Sequence, residues 1–173
     1  MAIPADVAGL LASAIISDTL LLKSPTTTDF DVTALKALAD IAGLEDYEAY
    51  GLALLKAGTD LSSRTDKELI DGDAKSFDMG GHQFRIGQVN TVAIEDVLSR
   101  QAGIEAAMTE EGYDNFLFVI TDILNSNSKA IFLGEATAAV EAAFDGQLVD
   151  NVIDLPGVVS RKKQVVPPLE AQF

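Results

Sequence analysis

Residues 116–120 read Phe-Leu-Phe-Val-Ile, five apolar side chains in a row with no polar alternation. A run of this kind suits a β-strand buried on both faces. Downstream, Asn125 to Ser128 read as a loop and Ala130 to Leu133 as a second short buried strand. Ala136 to Phe144 read as a helix, and Val149 to Ile153 as an edge strand. Upstream, residues 93–111 place Ile94, Val97, Leu98, Ile104 and Met108 at helical spacing, with Gly103 as the expected bend or break. Further upstream, Phe77 and Met79 alternate with polar neighbours, as do Phe84 and Ile86, on either side of Gly80-Gly81. Two glycines suit a two-residue primed turn, so residues 74–90 read as a hairpin. Thr65-Asp66-Lys67-Glu68 is a capping box that starts a short helix.

The first third has a different rhythm. After Pro4, residues Val7, Leu10, Leu11, Ala14 and Ile15 recur at helical spacing. The expected helix runs through Ser17-Asp18-Thr19 into Leu20-Leu21-Leu22 and stops at Pro25. Thr28 with Asp31 caps a second helix, whose face is Leu35, Leu38 and Ala42 and whose end is Gly43. Residues 45–57 form a third, with Tyr47, Tyr50 and Leu54. Residues 58–64 are short and polar, and serve as a helix–helix loop or as a linker between units. Three helices followed by strands mixed with helices predict an α/β chain, with a mixed β-sheet flanked by helices in its second part.

The chain has 173 residues and a formal charge of -15. That acidity excludes nucleic acid as a partner, because a phosphate backbone requires a broad basic face. It also disfavours an anionic membrane surface. The apolar stretch 7–22 is interrupted by Asp18 and preceded by Asp6, and reads as a soluble core helix. There is no cysteine, which fits a reducing cytoplasm and rules out a thiolate metal site.

Against this acidic background, Arg161-Lys162-Lys163 places three of the 12 cations side by side. Gly157 and Pro167-Pro168 bracket the run, with Val158-Val159 and Val165-Val166 as apolar arms, as in a strand that ends, presents cations and resumes. In a strand, Lys162 would point opposite to Arg161 and Lys163. The run is either a solvated basic turn or an anion site, since both cations suit phosphate oxygens.

The words around the run carry more. SRKKQVVPPL at 160–169, LLASAIISDTLLLKSPTTTDFD at 10–31 and FLFVITDILNSNS at 116–128 resemble, in order, stretches of the manganese-dependent (family II) inorganic pyrophosphatases of the DHH phosphoesterase superfamily. The resemblance implies that 1–57 is the helical tail of a DHH domain, 58–64 an interdomain linker and 65–173 a DHHA2 substrate-binding domain. It implies hydrolysis of pyrophosphate to two phosphates with Mn2+. Arg161 and Lys162 match the family's phosphate-binding pair. Lys75, in Asp73-Ala74-Lys75 before the hairpin's first strand, matches a lysine that reaches the substrate phosphate. Asp18, in Ser17-Asp18-Thr19-Leu20, matches a metal ligand.

The DHH triplet and the other His and Asp ligands of the family have no counterpart here. The resemblance therefore implies a C-terminal portion that supplies cations to a site completed by a missing N-terminal DHH domain, and that is inactive alone. Two other readings are a non-catalytic phosphate- or polyphosphate-binding module and part of a related exopolyphosphatase. With no sheet to cover them, the helices of 1–57 are expected to self-associate, rearrange or be disordered. The single histidine, His82, is read as a surface residue at the hairpin turn.

Overall fold

The computed structural model describes residues 2–173, so Met1, the first residue of the expected N-terminal segment, lies outside the described residues. The chain divides into two compact units after Asp60.

The first unit holds α1 (Ala5–Thr19), α2 (Asp29–Ala42) and α3 (Tyr47–Gly58). Thr28 caps α2 through the backbone N–H of Asp31, and the Asp31 carboxylate accepts in return from the Thr28 hydroxyl and backbone, which hold its carboxyl below the usual range. Ser13 on α1 and Tyr50 on α3 share a hydrogen bond of 2.7 Å between their hydroxyls.

The expected extension of α1 through Leu22 is not found. Leu20, Leu21 and Leu22 are all left-handed, with φ of 49°, 54° and 63°. Left-handed leucines cost roughly 1–2 kcal/mol each. Their return bonds offset that cost: Leu21 N–H donates to Ile16 O, and Leu22 N–H to the Thr19 hydroxyl at 3.0 Å. Leu21 also packs where Gly51 of α3 leaves room, since a Cβ there would stand 2.5 Å from its methyl group.

The second unit begins with the short α4 (Asp66–Asp71), capped by Thr65 and Glu68 as its sequence predicts. A five-stranded sheet follows, built from β1 (Ala74–Met79), β2 (His82–Thr91), β3 (Asn115–Asp122), β4 (Asn127–Gly134) and β5 (Val152–Leu155), in that spatial order. Pairing is antiparallel except between β2 and β3, which are parallel, so the sheet is mixed. The β1–β2 hairpin turns on Gly80-Gly81, both at positive φ. The parallel connection from β2 to β3 contains α5 (Ile94–Leu98) and α6 (Gln101–Glu111). Between β4 and β5 lies α7 (Thr137–Phe144), and the chain ends in α8 (Val166–Glu170).

Helices cover both faces. Phe116, Phe118 and Ile120 of β3 pack with Leu69, Ile70, Val97, Ile104 and Met108 from α4, α5 and α6. Leu117 and Val119 point the other way, to Val140 of α7, Leu169 of α8, and Phe84 and Ile86 of β2. This is why the 116–120 run shows no alternation: both of its sides are core. The fold is α/β with a mixed sheet flanked by helices, as the sequence predicts.

Three local expectations shift. The helix over 93–111 breaks at Ser99-Arg100 rather than at Gly103, because Arg100 is drawn to the Asp66 carboxylate and to Arg64 O. Gly103 instead gives the Asp66 carboxylate its close approach; a Cβ there would stand 2.1 Å from it. The loop expected at 125–128 is shorter, since β4 begins at Asn127. The edge strand lies at 152–155, with Val149 making only an isolated bridge to Val152.

Candidate anion site

The basic run is not part of a strand. Arg161–Val165 form a single wide π-helical turn that runs directly into α8. Its own neighbours curl it. The Gln164 side-chain oxygen accepts from Val159 N–H (3.0 Å) and Ser160 N–H (3.1 Å), while its amide donates to Gly157 O (2.9 Å). The Ser160 hydroxyl accepts from Lys163 N–H. With these donors satisfied by side chains of its own turn, the segment does not pair as a strand, and no strand resumes after it.

The turn is seated on one end of the sheet by a polar row. Gln88 follows Phe84 and Ile86 on the same face of β2; Thr121 follows Leu117 and Val119 on β3; Ser128 precedes Ala130 and Phe132 on β4. One face thus changes from apolar to polar where β2 and β3 end and β4 begins. The Gln88 amide donates to the Thr121 hydroxyl (2.8 Å) and to Val159 O (3.2 Å), and its oxygen accepts from Arg161 N–H (3.3 Å). Thr121 and Ser128 share a 2.9 Å hydrogen bond, and the Ser128 hydroxyl donates to Val158 O at 2.6 Å. Asn127 receives Gly157 N–H. The carboxyl ends of parallel strands are where α/β sheets commonly hold ligands.

Arg161 points inward. Its side chain is 9% exposed. Nη1 donates to Asp73 O and to Ile86 O (3.1 Å), and Nη2 to the Asp73 carboxylate at 2.6 Å. Asp73 lies one step before β1, opposite Gln88, whose N–H also donates to Asp73 O. Arg161 therefore staples the start of β1 to the basic turn. Lys75, which the sequence reading placed before the hairpin's first strand, is the second residue of β1 and is exposed, two positions beyond Asp73 on the same side. Lys162 and Lys163 are exposed on the turn. The Arg161–Asp73 contact thus joins two stretches 88 residues apart, the one that leads into Lys75 and the one that carries Lys162.

Asp18 belongs to the other unit, in the last turn of α1, and is exposed. Among the described residues, no group of three or more His, Cys, Asp or Glu could hold a metal ion. His82 is exposed and stacks on Phe173, their rings 4.7 Å apart. No described helix is long and apolar enough to cross a membrane.

Sequence reasoning missed Gln88, Asp73 and Gln164 as parts of this site. Gln88 carried a signal, as a polar residue in phase with the core positions Phe84 and Ile86. Asp73 carried none, since its partner Arg161 lies 88 residues away, and Gln164 went unread although its partners lie within seven residues.

Comparison with known proteins gives a consistent result. Residues 52–172 match the model of the DHHA2 domain family. A protein of Lactiplantibacillus plantarum named "Probable manganese-dependent inorganic pyrophosphatase" is 59% identical over 175 residues, covering 99% of this chain and 56% of that protein. A Brevibacillus brevis protein of the same name is 57% identical with the same coverage. The crystal structure of a Methanococcus jannaschii protein assigned to the family II inorganic pyrophosphatases superposes with a TM-score of 0.86 at 44% identity, over 100% of this chain and 57% of that one. The chain spans about half the length of the curated relatives it matches.

Proposed function

The chain belongs to the DHHA2 domain family, and on that footing we propose that it is the C-terminal portion of a manganese-dependent inorganic pyrophosphatase that supplies the cations holding pyrophosphate. In this reading, 1–57 is the tail of a DHH domain, 58–64 a linker and 65–173 the substrate-binding domain. The observation that supports the reading is the Arg161 staple, which ties the basic run that holds Lys162 to Asp73, two residues before Lys75. Lys75 and Lys162 hold phosphoryl oxygens as compact charges, and Arg161 contributes from below. Together they neutralise charge as the bridging P–O bond breaks.

Manganese does not fit the described residues by themselves, for want among them of a group of three or more ligands. Asp18 offers one oxygen donor to a metal held chiefly by other parts of the longer protein. The chain alone should release no phosphate from pyrophosphate in millimolar Mn2+, and adding the N-terminal portion of a relative should restore turnover.

Binding is tested without metal. Pyrophosphate titrated into the chain in EDTA should bind, and Lys162→Ala and Lys75→Ala should each weaken binding by about 10- to 100-fold, the worth of one charge-assisted hydrogen bond. No detectable binding at millimolar pyrophosphate would sink the reading. Binding by the chain that no N-terminal portion converts into turnover would favour a non-catalytic phosphate-binding module. We place the protein in the cytoplasm, consistent with its lack of cysteine; cell fractionation reporting it elsewhere would contradict this.

Val7, Leu10 and Leu11 on α1, Phe30 on α2 and Tyr50 on α3 are exposed, with Leu10 at 72% and Phe30 at 79%. We assign this surface to the missing DHH domain, with self-association of the 173-residue chain in its absence. Sedimentation velocity should show oligomers whose share rises with concentration; a monomer at every concentration would contradict it.

A further inference from the structure

We propose that Asp73 is an internal anion that holds Arg161 and that an incoming phosphate must displace. The inference rests on the anion-site reading above and adds the competitor within it. The Arg161 guanidinium has two kinds of partner. On Nη1 they are backbone carbonyls, Asp73 O and Ile86 O. Neither can swing away: Ile86 lies within β2, and Asp73 O is also fixed by Gln88 N–H. On Nη2 the partner is the Asp73 carboxylate at 2.6 Å.

The exposure of this pair is lopsided. The Asp73 side chain is 61% exposed and the Arg161 side chain 9%. An exposed carboxylate that lets go is rehydrated at little cost. A buried guanidinium edge that loses its anion is not, unless another anion takes the place. The pair therefore opens when a competing anion is present, and the competitor must carry enough charge to outdo a carboxylate. That requirement selects phosphate and pyrophosphate over monovalent anions. It also keeps the one inward-facing cation of the basic run paired in a protein of net charge -15.

Titration of inorganic phosphate and of pyrophosphate into the chain, in EDTA, tests the proposal. Asp73→Asn keeps an oxygen for Nη2 and removes the charge, so both ligands should bind about two- to fivefold tighter, the scale of a partly exposed ion pair. If the unmodified chain binds pyrophosphate and Asp73→Asn binds it equally or more weakly, Asp73 is no competitor and the inference fails while the anion site stands. If neither chain binds pyrophosphate, the anion site fails and the inference falls with it.

A second readout needs no variant. Saturating pyrophosphate should move the guanidinium ¹⁵N signals of Arg161 in the unmodified chain. Unmoved signals, with binding still weakened by Lys162→Ala, would show that ligand meets the lysines and never displaces Asp73.

Discussion

Arg161→Ala should destabilise the sheet-bearing unit by about 2–4 kcal/mol, the scale of lost hydrogen bonds to a charged donor, and should abolish pyrophosphate binding by the isolated chain. The loss is not that of a fully buried ion pair. Asp73 is mostly exposed and recovers water when its partner goes. The cost falls on Ile86 O, which loses the Nη1 donor, and on the packing of the guanidinium stem against the end of the sheet. Asp73 O keeps Gln88 N–H. Arg161→Lys should recover less than half of the stability, because one ammonium cannot serve both the carbonyl pair and the carboxylate. Urea unfolding gives the stability and metal-free titration the binding. Lost binding with an unchanged unfolding midpoint would make Arg161 a direct ligand with no role in the scaffold. A lowered midpoint with intact binding would make it scaffold alone, with Lys75 and Lys162 as the whole anion site.

Phe118→Ala should cost about 3–5 kcal/mol, the range for removing a fully buried aromatic ring from a core. Phe118 is 0% exposed, on the face of β3 that meets α4, α5 and α6. Its ring also fills the space above Gly87 on the neighbouring strand, where a Cβ would stand 3.2 Å from it. β3 is the middle strand, so collapse around the gap would have to move helices on one side without disturbing Leu117 and Val119 on the other. Small domains are stable by only about 5–15 kcal/mol, so the unfolding midpoint in urea should fall by about a fifth or more. Phe118→Leu keeps most of the volume and should cost less than about 1.5 kcal/mol. An alanine variant within about 1 kcal/mol of the parent would mean that the two-faced core described here is not what holds the sheet.

The capping boxes at Thr28 and Thr65 and the Gly80-Gly81 turn could be read residue by residue because their partners lie within three or four positions. The unbroken run at 116–120 could be read as a two-faced strand because a core on both sides leaves no room for polar alternation. The ends of elements were less legible. Leu20-Leu21-Leu22 looks like more helix in sequence, and only the bonds back to Thr19 and Ile16 and the vacancy at Gly51 turn it left-handed. The break at Ser99-Arg100 depends on an aspartate 34 positions away.

For the site, the sequence by itself determined the chemistry on offer: three adjacent cations in an acidic chain, one lysine after Asp73, and no cluster of metal ligands. It also determined, through the order of helical and strand patterns, that the second part of the chain would hold a mixed sheet. The tertiary structure decided which cation faces where. A strand would have alternated Arg161, Lys162 and Lys163. Gln164 and Ser160 instead wind the segment into a turn that presses Arg161 onto Asp73 and Ile86 and leaves both lysines outward. Gln88, reaching from β2 to Val159 and Arg161, fixes that turn to the sheet. These bonds span more than 70 residues, and a long-range hydrogen bond leaves no period in the sequence from which it could be read.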